Sequence, residues 1–351
     1  MGTDTGVDLS RAATMIELGR YDEAAALLAV IVAAAPDTGR AWSLLSRAHL
    51  GAGRGAEAVL AARRAGALNP SDDWPFRLAS TALVSLGRGE EAVAAALDAR
   101  KLTPGFWRSH VCLAQAATAA GDRELAGQAV LAALAIAPDE PDVQFTAGKV
   151  ALAGGDLARA RSHQQAALAA DPGHSGAINE LGRISLRERD VSAAASYFLR
   201  AARAAPGIGI FGRNTEVALA KVLTNIAVPV ALLLALGVGV LILVPAGWPV
   251  LVGAMAVLTA LACGQAAFQV TRLPPDARRH LARMLRQRRW LGTMAGIVGI
   301  VTGLAAFAAI MVRVSRSSSS ALLPGLAILV AVLTARLLVT MIIRRSRRNI
   351  H

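Results

Sequence analysis

Carboxylates all but vanish from the second half of this 351-residue chain, and cysteines and aromatic residues are scarce throughout. After Glu216 the only acidic side chain is Asp276, so an acid–base pair or a proton relay has no parts there. The two cysteines, Cys112 and Cys263, stand far apart and form no CxxC pair, which implies neither a disulfide framework nor a thiolate metal site. His49, His110, His163, His174, His280 and His351 are scattered, and none falls in an H-E-x-x-H spacing. His49 and His110 read as ordinary helix-face residues. With no nucleophile–base pair and no ligand cluster, the chain is read as a non-enzyme that needs no cofactor and no metal. Its start, MGTDTG, lacks a basic stretch running into an apolar core and so is not read as a signal peptide. Gly6 stands where N-myristoylation would need Ser or Thr.

What the chain does have is apolar surface and a lopsided charge. Hydrophobic residues make up 54% of it, more than an ordinary water-soluble domain carries. The net charge of +13 is confined to one region. Residues 1–206 hold 21 Lys/Arg against 22 Asp/Glu, whereas residues 207–351 hold 16 against 2. The basicity accompanies the apolar half, where a membrane accounts for it better than a nucleic acid does. Nucleic acid is therefore not expected as a partner. Richness in Ala, Arg and Gly points to a GC-rich bacterial source on composition alone.

The first half repeats. Pro36, Pro70, Pro104, Pro138, Pro172 and Pro206 recur every 34 residues without an insertion. Ala24, Ala58, Ala92, Ala126, Ala160 and Ala194 keep the same step, as do Gly19, Gly53, Gly87, Gly121 and Gly155, with Arg189 in the last place. The glycine ends one helix, a short turn starts a second, small residues let the two approach, and proline closes the unit. The segment WSLLSRAHLGAGRGAEAVLAARRAGALNP (Trp42 to Pro70) carries this order in full.

In period, order and residue identity this region resembles the tetratricopeptide repeats, as six units over residues 5–206. The resemblance implies an all-α solenoid of helix-turn-helix repeats, occupying residues 1–206, that binds a protein or peptide partner. Departures are Asp8 and Arg11 in the first helix, Arg189 for glycine in the last unit, and Gly55 and Gly89 where Tyr21 stands in unit one, which predicts looser turns there. In the family the first helix of each unit lines a concave groove. By position that wall would hold Ser43, Arg47, Arg77, Thr81, Val111, Gln115, Phe145, Lys149, Asn179 and Arg183. Four of these are cationic and none is acidic, which suits an acidic or carboxylate-bearing peptide; the plainer reading is a set of solvated, unselective cations. The family's carboxylate clamp is not carried over, because Leu9 and Ala13 occupy its Lys and Asn places.

Gly207, Gly209 and Gly212 in GIGIFGRN fit the dinucleotide spacing G-x-G-x-x-G. A helical stretch precedes them instead of a strand, and no acidic residue follows about twenty residues on, so they read as a flexible joint. Residues 207–223 are then a linker and juxtamembrane helix starting near Asn214.

Beyond it lie four apolar stretches, about 225–244, 248–270, 291–312 and 321–343, each of a length to cross a bilayer, which needs about 20 residues. They predict a four-helix transmembrane bundle over 224–343 after the solenoid, with a basic loop at 271–290 and a basic tail at 344–351. Arginine-rich flanks place both termini in the cytoplasm of a multi-pass plasma-membrane protein. In the basic loop, Arg278, Arg279, Arg283, Arg286, Arg288 and Arg289 either contact anionic lipid head groups of the bilayer or serve only as an orientation signal. Gly292, Gly296, Gly299 and Gly303 form a close-packing stripe, within the bundle or against a second copy. Arg336, deep in the last stretch, reads as a residue snorkelling to the head groups. The function expected from all this is a membrane-anchored scaffold that recruits a cytosolic partner to the plasma membrane; the alternative is a small channel, carrier or membrane-complex assembly factor regulated by its repeats. Partner identity and oligomeric state stay open.

Overall fold

The computed structural model describes residues 2–222 and 275–287, with scattered positions between 225 and 273. The chain divides into two compact units, Met1–Asp190 with Tyr197–Arg213, and Val191–Ser196 with Asn214–His351. Among the described residues all regular structure is helical.

Twelve helices fill the first 204 residues: α1 (Gly2–Glu17), α2 (Tyr21–Ala34), α3 (Gly39–Gly51), α4 (Gly55–Leu68), α5 (Asp73–Ser85), α6 (Gly89–Leu102), α7 (Trp107–Ala120), α8 (Arg123–Ile136), α9 (Pro141–Gly154), α10 (Leu157–Ala170), α11 (Ser175–Arg187) and α12 (Val191–Ala204). Odd-numbered helices open each repeat and even-numbered ones close it. The turn inside each hairpin is built the same way six times. Gly19, Gly53, Gly87, Gly121 and Gly155 take φ between +71° and +89°, the left-handed region that glycine enters without steric cost. The next residue's N–H then reaches back to a carbonyl five residues earlier, as Arg20 does to Met15 (2.8 Å) and Asp122 to Ala117 (2.9 Å). In the sixth unit Asp190 still bonds Ser185 at 2.9 Å, so Arg189 is forced to φ +64°, the one described non-glycine residue with positive φ. Packing of the unit overrides the local preference of its sequence.

The hairpins close because the helix crossing is kept thin. Ala12, Ser46, Ser80 and Ala114 sit fully buried at the same place in successive first helices, and Gly148 and Gly182 follow in units five and six. Volume missing on one side is restored on the other: a Cβ on Gly148 would fall 2.2 Å from Gln164, and one on Gly182 only 2.6 Å from the ring of Phe198. Phe198 is itself 1% exposed, a burial worth about 1.5–3 kcal/mol. Gly55 and Gly89 correct the expectation of looser turns. A Cβ on Gly89 would meet the backbone of Ala120 at 2.7 Å, and one on Gly55 would meet Ser85 at 2.8 Å. These turns are tight because the next hairpin leans on them.

At three of the five turns between hairpins the proline carbonyl finds a donor six residues later on the following helix. Trp42 Nε1 donates to Pro36 O (2.8 Å) and Gln144 Nε2 to Pro138 O (2.6 Å), while His110 Nε2 lies 2.7 Å from Pro104 O. Ile178 has no donor to offer, and Arg200 Nη2 bonds Pro172 O instead at 3.0 Å. His110 is thus a buried turn-closing residue and not merely one on a helix face.

The glycines of GIGIFG do not form a flexible joint. Residues 209–222 are helical, starting five residues before Asn214, and Phe211 is buried against Ile178 and Ala201. No strand precedes the motif, so its glycines bound a helix start rather than a phosphate cradle.

In the second unit Ser192 Oγ donates to Arg272 O at 2.6 Å, and the guanidinium of Arg272 lies 4.4 Å from the centre of the Phe268 ring. The helix Pro275–Gln287 carries Arg278 and Arg279 outward, while Ala277 and Leu281 are buried. Arg278 donates to Leu273 O (2.8 Å) and Arg279 pairs with Asp276. The side chains of Arg283 and Arg286, and all of Arg288 and Arg289, lie outside the described residues, as do the glycine stripe 292–303 and Arg336.

The plasma-membrane, multi-pass placement is overturned. No helix among the described residues is long and apolar enough to cross a membrane. The helix Pro275–Gln287 has 13 residues, about 20 Å at 1.5 Å each, and is strongly basic. The four apolar stretches that motivated the bundle fall outside the described residues, apart from scattered positions in the first two.

Two substitutions test the first unit's construction. Arg189→Gly relieves the left-handed strain, worth about 1 kcal/mol, and should slow amide exchange of α11 and α12 roughly fivefold. Gly182→Ala drives a methyl into Phe198 and should destabilise by about 1–3 kcal/mol, with recovery on adding Phe198→Leu.

Candidate functional site

Successive first helices pack on one another, α1 on α3, α3 on α5, and so on to α11, whereas successive second helices meet far less. An array whose first helices are closer together than its second helices curves with the first helices inside. Their exposed side chains therefore share one inner surface.

Between α5, α7 and α9 that surface holds a cavity of about 240 Å³ lined by Arg77, Thr81, Trp107, Arg108, Val111, Cys112, Gln115, Asp142 and Phe145. Five of the ten residues expected from sequence meet here: Arg77, Thr81, Val111, Gln115 and Phe145. Trp107 opens α7 and Phe145 stands one turn into α9, giving two aromatic walls over Val111 and Cys112, each under a tenth exposed. Thr81 Oγ1 donates to Arg77 O (2.9 Å) and Gln115 Nε2 to Thr146 Oγ1 (3.3 Å). Burial raises the Cys112 thiol above its ordinary pKa, so it stays protonated and behaves as part of the apolar floor.

The remaining expected residues lie elsewhere on the same helices. Ser43 is 1% exposed and belongs to the interior; Asn179 is 8% exposed. Arg47 belongs to the second unit and Arg183 to the last, and Lys149 sits one turn beyond Phe145 with Nζ 5.5 Å from its ring centre.

Charge on this surface is more balanced than the sequence implies. Arg77 Nε lies 2.5 Å from Asp73, in a pair less than a fifth exposed on either side, and its guanidinium also covers Phe106 at 5.4 Å. Arg47 pairs with Glu17 (2.5 Å) and Arg183 with Glu180 (2.8 Å). Three of the four expected cations are thus held by carboxylates of the chain itself, and Asp73 and Asp142 add acid to a wall expected to have none. Among the described residues, the cations here with no carboxylate within 4 Å are Lys149 and Arg108. Arg108 stacks on Trp107 at 4.2 Å and lies 5.6 Å from Phe106. Sequence reading missed Trp107, Arg108 and Asp142 because it took only one spacing along each first helix.

Asp142 ties the pocket to the next unit. His174 Nε2 is 3.3 Å from Asp142 Oδ1, its ring lies 4.8 Å from Phe145, and its Nδ1 accepts the N–H of Ala177 (3.0 Å), capping α11. The hydrogen bond to Asp142 raises the His174 pKa and lowers that of Asp142. Among the described residues no group of three or more His, Cys, Asp or Glu is placed to hold a metal ion.

A stack of helical hairpins with an inner wall built from its first helices defines the class of an α-solenoid. The chain belongs to the tetratricopeptide repeat family: the family model for that repeat matches residues 15–73, 77–141 and 145–207, more than half of the chain. Among solved structures it is similar to a tetratricopeptide repeat protein from Parabacteroides merdae ATCC 43184 (11% identity, 61% of this chain and 84% of that one, TM-score 0.55). It is also similar to a chain of the APC/C hetero-tetramer Cut9–Hcn1 (16% identity, 60% of this chain, TM-score 0.51), of which it spans 42%. These likenesses show the fold. No curated protein matches the sequence.

The Asp142–His174 pair predicts a pH window. Asp142's share of stability is lost as pH falls through its lowered pKa, and His174's as pH rises through its raised one, so the pair contributes between the two. Asp142→Asn should move the His174 ring-proton titration, followed by NMR, to lower pH; an unmoved midpoint would remove the pairing.

Proposed function

We propose that this protein is a scaffold or adaptor that binds a segment of another protein along the inner face of its first helices. The observation that carries this reading is the cavity between α5, α7 and α9, where aromatic, aliphatic and charged side chains from three successive units converge on one open recess. Its volume of about 240 Å³ is below the roughly 300–1,000 Å³ of pockets that enclose a free small molecule, and suits a side chain projecting from a larger partner. On this reading the protein works by binding alone and is not an enzyme. The near balance of 21 Lys/Arg against 22 Asp/Glu over residues 1–206 supports a protein partner over a nucleic acid, whose phosphates require a surplus of cations. Solenoids of this family expose such a face across several units, which fits an extended segment better than a compact surface patch.

The test is panning of a randomised peptide library against the full chain. Thr81 is exposed at the cavity rim, and Ala94 is exposed in the wall of a separate cavity of about 460 Å³ between α4, α5 and α6, so the two positions distinguish the inner face from that second recess. Thr81→Trp should reduce binding of the selected peptides at least about tenfold, and Ala94→Trp should leave it unchanged. Selected peptides indifferent to Thr81→Trp would show that the inner face is not the binding surface.

A further inference from the structure

The cavity is selective in a way that its individual residues do not show. Its floor, Val111 and Cys112, is apolar and nearly closed to solvent, and its walls are the rings of Trp107 and Phe145. Every carboxylate close to it is already engaged: Asp73 by Arg77 at 2.5 Å and by Ser109 Oγ at 3.3 Å, Asp142 by His174. Arg108 and Lys149, in contrast, each lie against an aromatic ring with no carboxylate within 4 Å among the described residues, one on Trp107 and the other one turn beyond Phe145. Arg108 also acts on Asp142 at longer range, without forming an ion pair. A cation resting on a ring and held in no ion pair is oriented and partly shielded from water, so it still gains from an incoming anion. These two cations flank an apolar recess, one on each wall.

Resting on the reading of the inner face as a binding surface, we infer that the cavity seats one bulky apolar side chain of an extended partner segment, whose neighbouring acidic residues meet Arg108 and Lys149. The division of labour is physical. Burial of the anchor between two rings supplies affinity, because desolvated central contacts dominate interfaces. The flanking charges select the segment and speed its arrival, and their contribution is screened by salt. Arg77 is not a recognition residue in this arrangement: its Nε pairs with Asp73, which fixes the α5 side of the recess and already balances its charge.

The experiment uses peptides selected by the full chain from the randomised library. They are expected to share a Leu, Met, Phe or Trp with Asp or Glu within three positions. Replacing that apolar residue by Ala should weaken binding at least about tenfold. The double variant Arg108→Gln/Lys149→Gln should weaken it several-fold and flatten its dependence on salt, while far-UV circular dichroism stays that of the parent. Peptides that lose binding to Thr81→Trp yet lack acidic residues, or that bind the double variant with unchanged affinity and salt dependence, would overturn this inference and leave the scaffold reading standing. Peptides insensitive to Thr81→Trp, or a library from which nothing is selected, would sink both.

Discussion

The separation of the two helices in each hairpin is the constraint on which the rest of this structure depends. It is set by one small residue in the first helix, from Ala12 to Gly182, and each is buried. A larger residue there would push the pair apart, and because every unit packs only on its neighbours, the error would pass to the next junction rather than being absorbed in a common core. The chain meets the constraint by exchange of volume across the crossing. Where the first helix gives up its side chain at Gly148 and Gly182, the second fills the gap with Gln164 and Phe198. Interiors are packed closely enough that such exchanges must be nearly conservative.

The inner surface follows from that geometry. Thin crossings keep the hairpins narrow, contacts between first helices curve the array, and three successive helices deliver Thr81, Val111 and Phe145 to one recess although 34 or fewer residues separate each from the next. Rigid elements carry these side chains, so the recess exists before any partner arrives. Its charges are settled inside the chain as well: intra-helical pairing of Arg77 with Asp73 and of Arg183 with Glu180 takes two cations out of play before solvent or ligand can use them.

The architecture was legible because its signals recur in register. Six prolines at one spacing, and glycines at the hairpin turns, are positional requirements of the backbone that survive wide variation elsewhere. The site was legible in part. Position along the first helix named Arg77, Thr81, Val111, Gln115 and Phe145, which the structure brings together at one recess, but it also picked Ser43, which is buried. Two of the ion pairs that changed the charge balance have spacings of three and four residues and could have been read from the sequence; the pair between Arg47 and Glu17 spans 30 residues and required the stacking of one unit on another. Trp107 and Arg108 escaped because they occupy the first turn of α7, outside the register used. The membrane placement rested on apolar length and arginine-rich flanks, and no helix among the described residues is long and apolar enough to cross a membrane.

The carbonyls of four of the five inter-hairpin prolines are answered by an indole, an imidazole, an amide and, from a different helix, a guanidinium. What persists from unit to unit is thus an acceptor in a fixed place, and the group that satisfies it is interchangeable. A repeat protein drifting in sequence can lose such a donor from one helix and regain it from the other helix of the same hairpin without moving its backbone, which leaves the residues around each junction free to diverge while the stack stays in register.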